Sequence, residues 1–142
     1  MALTGEERLT WLREVPLFRG CTEASLRSLA ERTAEVDFAA GQHIVQQGQV
    51  GNGLFLIVAG TAQVMAGDQE LARLGPGDVI GELSVIDQEP RVASVVATQR
   101  VSCLALASWD LLAMLDTDPQ LARNLLSELA GRLRATDARV GQ

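Results

Sequence analysis

The sequence predicts an α+β domain in which helices lead into a β roll and helices follow it. Three observations carry that reading. Apolar residues recur at helical spacing before residue 34 and again after residue 107. The stretch between them breaks into short apolar segments separated by glycines, the texture of an antiparallel sandwich or barrel. With 142 residues, 47% hydrophobic and 21% charged, the chain has the size and composition of one globular domain with its own core. The expected division is 1–33 for the first helices, 34–107 for the roll and 108–142 for the last helices, with no internal linker.

The first helix is expected over Thr4–Val15. Thr4 and Glu7 stand at capping-box spacing, and Leu9, Trp11, Leu12 and Val15 form the apolar stripe. Pro16 stops it, and PLFRGC reads as a turn. A second helix runs from about Thr22 to Thr33, with Leu26, Leu29 and Ala30 on one face. Glycines at 41, 48, 51, 53, 60, 67, 75 and 77 then punctuate the short strands. FLIVAG reads as a strand buried on both faces, and AGDQE as the hairpin turn between TAQVM and LARL. RVASVVATQ and RVSCLALA supply two more strands. Ser108 is placed to cap the helix WDLLAMLD, and Asp118-Pro119 to open the last one as N-cap and first-turn proline. That last helix carries Leu121, Leu125, Leu129 and Leu133 at four-residue spacing, beside Ala122, Leu126 and Ala130. Such a stripe packs on the chain's own roll by default. Its far half is expected to outrun the roll and to meet a second copy, giving a homodimer.

Composition excludes several kinds of chemistry. All twelve cationic residues are arginine, so no lysine is present for a Schiff base or a phosphate loop. The net charge of −6 opposes nonspecific attraction to nucleic acid. The single histidine, His43, cannot supply the ligand cluster of a metal-dependent jelly-roll enzyme and reads as a strand-edge residue. Cys21 and Cys103, far apart and without CxxC spacing, read as small buried residues in a reducing, cytoplasmic setting. Ser84 and Ser94 have no histidine near them in the sequence, so neither is expected to be a nucleophile. No enzymatic activity, metal or cofactor is expected. No apolar run reaches the ~18 residues of a membrane span, and the acidic, amphipathic start does not read as a secretory signal.

One stretch asks for a ligand. After the tight turn GPGD (Gly75 to Asp78) comes GELSVIDQEPRVAS, Gly81 to Ser94. It sets Glu82 and Arg91 nine positions apart around the apolar Leu83, Val85 and Ile86. A surface ion pair across a loop would be the plain explanation, worth ~0–1 kcal/mol. The ordered set GPGDVIGELSVIDQEPRVASVVA, however, resembles the phosphate-binding cassette of the cyclic nucleotide-binding domain family. That family includes catabolite activator proteins, protein kinase A regulatory subunits and nucleotide-gated channels. AGQHIVQQGQVGNGLFLIVAGTAQV is similar to its glycine-punctuated early strands, and the likeness extends over roughly Pro16 to Val140.

The resemblance implies an eight-stranded antiparallel β roll (a double-stranded β-helix, or jelly roll) holding a cassette at 81–94. It also implies a ligand site formed by Gly81, Glu82, Leu83, Ser84, Arg91, Val92 and Ala93. A cyclic phosphate must lose its water to bind inside a domain. A short helix starting at Gly81 would aim free backbone N–H groups at it, Ser84 contributing its own. The planar fork of Arg91 would pair with phosphate oxygens. Glu82 would be repelled by the phosphate, but suits the ribose 2′-hydroxyl, the role the family gives that glutamate. Val85, Ile86, Val95 and Val96 are expected in the core. Relatives that prefer cyclic GMP often carry threonine after the cassette arginine; Val92 has no hydroxyl, which favours cyclic AMP. RATDARVG resembles part of the catabolite activator's long helix, with Thr136 retained and Asp137 in place of a serine that meets adenine. Arg132 or Arg134 is the alternative lid over the purine.

The function expected is therefore a receptor in which occupancy moves the C-terminal helix. Two alternatives remain at this level. The chain could be the sensor half of a DNA-binding regulator, since it ends at Gln142 before a helix-turn-helix would begin. It could also be a module whose pocket takes another small anion, or one that binds a protein partner.

Overall fold

The computed structural model describes residues 2–51, 53–81 and 90–139, with only the backbone from residue 136 onward. Helix α1 (Gly5–Arg13) begins as its sequence dictates. Thr4 Oγ1 accepts the Glu7 amide at 3.1 Å, and the Glu7 carboxylate accepts the Thr4 amide at 2.9 Å. The helix stops two residues short of the expected Val15, because Pro16 opens a one-turn 3-10 helix, Pro16–Phe18. Val15, Leu17 and Phe18 are buried there. Helix α2 (Glu23–Arg32) is capped by Thr22, whose hydroxyl accepts the Ser25 amide at 3.2 Å, and it buries Leu26, Leu29 and Ala30.

The strands are β1 (Ala34–Phe38), β2 (His43–Val45), β3 (Gly53–Ala59), β4 (Ala62–Ala66), β5 (Gln69–Leu74), β6 (Val79–Ile80), β7 (Ser94–Ala97) and β8 (Val101–Ala107). They form two four-stranded antiparallel sheets, ordered β1-β8-β3-β6 and β2-β7-β4-β5. Strand β3 is buried on both faces, as FLIVAG predicts. Leu54 and Leu56 join Leu104 and Leu106 of β8 in a core shared with the helices. Ile57 turns the other way, into the roll, with Val95, Ala97, Val101 and Cys103. Phe38 and Phe55 meet edge to face there, 5.9 Å apart.

The hairpin turn between β4 and β5 falls at Gly67, whose φ is 59°. GPGD is a turn closed by Asp78, which accepts the Gly75 amide at 2.8 Å, with Gly77 at φ 94°. The strand expected over RVASVVATQ is confined to β7, because the backbone of Arg91 is used elsewhere. Cys103 is buried, but Cys21 is only half-buried, so the expectation for it is corrected. Burial pushes both thiols up, to about 11 at Cys21 and about 12 at Cys103, which keeps them protonated and unreactive at neutral pH.

Helix α3 (Ser108–Thr117) follows β8 without a break, and this corrects the expected cap. Ala107 holds the cap position, while Ser108 is the first helical residue, with its hydroxyl buried and without a partner among the described residues. Asp118 does lead into α4 (Pro119–Arg139) as the sequence predicts. One carboxylate oxygen accepts the Gln120 amide at 3.1 Å; the other accepts the Thr22 amide at 3.0 Å. Asn124 adds bonds to the carbonyls of Leu17 and Arg19, so the start of α4 is tied to the first helices. The leucine stripe divides along its length. Leu121 and Leu125 are buried, whereas Leu126 and Leu133 are about two-thirds exposed, at 66% and 65%. Among the described residues, no helix is long and apolar enough to cross a membrane.

Candidate ligand-binding site

The site is built around Arg91, which enters the roll from the cassette. Its backbone is clamped to the turn after β2. The Gly48 amide donates to Arg91 O at 2.8 Å, and the Arg91 amide donates to Gln49 O at 2.9 Å. The side chain folds inward and is 8% exposed. Nη2 donates to Gly53 O at 3.0 Å, while Nε is buried without a hydrogen-bond partner among the described residues. Among the described residues no carboxylate pairs with this guanidinium. Burial alone shifts its pKa, and the shift is downward.

Two glycines make the room. A Cβ at Gly51 would stand 2.0 Å from Nη2, and one at Gly81 would stand 2.1 Å from Nη1. Gly81 also has φ +89°, which favours glycine by itself. The guanidinium is thus packed against the backbone at both glycines, with one acceptor among the described residues. Removing a charge from water costs several kcal/mol unless a partner offsets it. Among the described residues, the acceptor for this fork is one carbonyl, that of Gly53.

Two cavities meet at Arg91. One, of about 330 Å³, is lined by Gly81, Arg91, Val92 and Ala93, by apolar side chains of the roll such as Val64 and Leu74, and by Arg132 from α4. The other, of about 450 Å³, lies towards Gly51, Phe55 and Arg32. Both volumes fall in the range of small-molecule sites. The first joins several expected residues. Gly81, Arg91, Val92 and Ala93 all line it; Arg91 is buried, Ala93 half-buried and Val92 87% exposed. Of the two lid candidates, Arg132 lines this cavity, held on its helix by Glu128 at 3.4 Å; Arg134 is exposed and is not among the lining residues.

The rest of the expected site is only partly in view. Glu82, Leu83 and Ser84, with Val85, Ile86 and the short helix expected from Gly81, lie outside the described residues. Thr136 and Asp137 are helical, but their side chains lie outside them too. Val95 is buried and Val96 half-buried, consistent with core positions. His43 is exposed on β2, an edge strand. Among the described residues, no group of three or more histidine, cysteine, aspartate or glutamate side chains could hold a metal. Sequence reasoning missed Gly48, Gln49, Gly51 and Gly53 as parts of the site. The dense glycine spacing of GQVGNG was the available signal, and it read only as strand punctuation.

The profile described as "Cyclic nucleotide-binding domain" matches residues 35–118, more than half of the chain. The chain belongs to that family. The cyclic AMP receptor protein of Thermus thermophilus is 36% identical over 127 residues, which cover 86% of this chain and 59% of that protein. The crystal structure of the Thermus thermophilus catabolite activator protein superposes with a TM-score of 0.76 at 35% identity, covering 88% of this chain and 61% of that one. The N-terminal domain of a Streptomyces coelicolor transcriptional regulator gives 0.74 at 33% identity, covering 93% and 95%. The chain thus spans about three fifths of the length of the Thermus relative, at 59%.

Proposed function

We propose that this cyclic nucleotide-binding domain is a non-enzymatic receptor for cyclic AMP, taken in preference to cyclic GMP, and that occupancy shifts α4. The observation that carries the reading is the Arg91 guanidinium, buried and without a carboxylate among the described residues. A desolvated fork whose Nε has no partner among the described residues suits an arriving phosphate, whose negative charge offsets the burial. Glu82 would accept from the ribose hydroxyl, and Gly81, Leu83, Ser84 and Ala93 would complete the cradle. Val92 offers no hydroxyl to a guanine. Thr136 and Asp137 would meet the adenine amino group from α4. Since α4 already lends Arg132 to the cavity wall, a ligand there would bear on the helix directly.

Titration calorimetry with cyclic AMP and cyclic GMP tests the proposal. Saturable binding of cyclic AMP, weaker binding of cyclic GMP and loss of both in Arg91→Leu are expected. Absence of binding to either nucleotide, or affinity unchanged by Arg91→Leu, refutes it.

A wider reading is favoured by the Streptomyces match, which is the N-terminal domain of a transcriptional regulator. On that reading the chain is the sensor part of a regulator that acts on DNA through residues outside this sequence, in the cytoplasm. It would work as a homodimer joined through the exposed leucines of α4.

A further inference from the structure

Ser94 and Gln47 have no assigned part in ligand binding, yet both are hydrogen-bonded into the frame around Arg91. Ser94 Oγ accepts the Gln47 amide at 2.8 Å, three residues along the chain from Arg91. The Gln47 side-chain carbonyl in turn accepts the amide of Gly67, at the tip of the β4–β5 hairpin, at 3.1 Å. Between these bonds lie the two that clamp the Arg91 backbone, Gly48 N to Arg91 O and Arg91 N to Gln49 O. Gly48 sits at φ +86°, so the 46–49 turn is shaped to present these groups together.

Regular pairing of β2 with β7 ends near Val45 and Val95, after a register shift between His43 and Val45. Beyond that point, the bonds to Ser94, Gly48 and Gln49 hold the turn against the cassette. The only side-chain acceptor among them is Ser94. The only link from this turn to the neighbouring hairpin tip, among the described residues, is Gln47.

We infer that Ser94 and Gln47 are positioning residues for the cassette arginine: they form a two-bond relay from the hairpin tip that fixes where the Arg91 guanidinium sits, and so set ligand affinity without touching ligand. The inference rests on the proposed role of Arg91 as the phosphate partner. Loss of one neutral hydrogen bond lets the clamp loosen and weakens binding by about 2- to 10-fold.

The test uses the full chain and two readouts. The buried Arg91 Nε–H, which has no hydrogen-bond partner among the described residues, should give a distinct ¹⁵N–¹H resonance that reports guanidinium position. Cyclic AMP titration gives affinity. Ser94→Ala and Gln47→Ala should both move the Nε resonance and weaken cyclic AMP binding, with thermal unfolding close to wild type. Ser94→Thr, which keeps the acceptor in a strand, should restore both. An unmoved resonance, or a moved one with wild-type affinity, overturns the relay while the receptor reading stands. Failure of the wild-type chain to bind either nucleotide overturns the receptor reading, and the relay is then judged on the Nε resonance alone.

Discussion

Gly51→Ala isolates the placement of the guanidinium from every other property of the site. The new methyl would lie 2.0 Å from Arg91 Nη2, 2.5 Å from Nε and 2.6 Å from Cζ. Ordinary contact needs about 3.5 Å, so the guanidinium must retreat by roughly 1.5 Å. A shift of that size breaks the 3.0 Å bond from Nη2 to Gly53 O and takes the fork out of register with a phosphate. Hydrogen bonds to charged groups contribute about 1.5–3 kcal/mol, so one such bond lost to ligand weakens cyclic AMP binding by about 10- to 150-fold. Stability should change much less, because the displaced guanidinium loses one carbonyl but regains water. Gly51 has no left-handed φ, so the substitution adds no backbone strain, unlike Gly81→Ala at φ +89°. Calorimetric titration and urea denaturation of the same preparations separate the two effects. Wild-type affinity in Gly51→Ala, with the guanidinium shown to have moved, would refute the argument that Arg91 must be held in one place.

Asp118→Ala should lower unfolding free energy by about 1–2 kcal/mol, since its carboxylate accepts the Thr22 and Gln120 amides. Those bonds hold its carboxyl below the ordinary value. Its contribution is therefore complete above about pH 4, the unfolded value, and is lost as pH falls through the lower folded one, so urea denaturation across pH 3–7 should show the mutant deficit closing at the acid end. Ser108→Ala removes a buried hydroxyl that has no partner among the described residues; thermal unfolding should show unchanged or raised stability, and a loss would mean the hydroxyl is satisfied in solution. Leu126→Glu with Leu133→Glu places charge on the exposed half of the α4 stripe. Sedimentation should show a dimer for the parent chain and a monomer for the double variant, with helical content retained.

Much of the framework is readable from short-range chemistry. The Thr4–Glu7 box, the Thr22 cap, the Gly67 hairpin and the Asp118-Pro119 start each depend on residues within a few positions of one another, which is why they form as expected. Ser108 fails for an equally local reason. Strand β8 runs directly into α3, so the extended residue that caps the helix is Ala107, one position earlier. Strand β7 is shorter than its pattern because Arg91 bonds to the 46–49 turn instead of to a neighbouring strand, a competition that periodicity does not register. The α4 leucines show the same limit: four identical residues at one spacing divide into two buried, one partly buried and one exposed according to what stands opposite them.

The arginine itself was legible and its surroundings were not, and the reason lies in the chemistry of the group. A guanidinium announces itself in any sequence, but what marks this one is that two of the positions packed against it, Gly51 and Gly81, carry no side chain. Gly51 lies just before β3 and Gly81 just after β6, thirty positions apart in the chain, and each leaves out one Cβ that would strike the fork. Gly53 contributes only its carbonyl oxygen. A protein that wished merely to neutralise Arg91 would place a carboxylate at one of these positions, and a protein that wished merely to fill the space would place an aliphatic one. Glycine does neither. At these two positions it leaves the charge buried and, among the described residues, without a carboxylate, which would suit a reversible anionic ligand, because an internal carboxylate would have to be displaced each time such a ligand arrived.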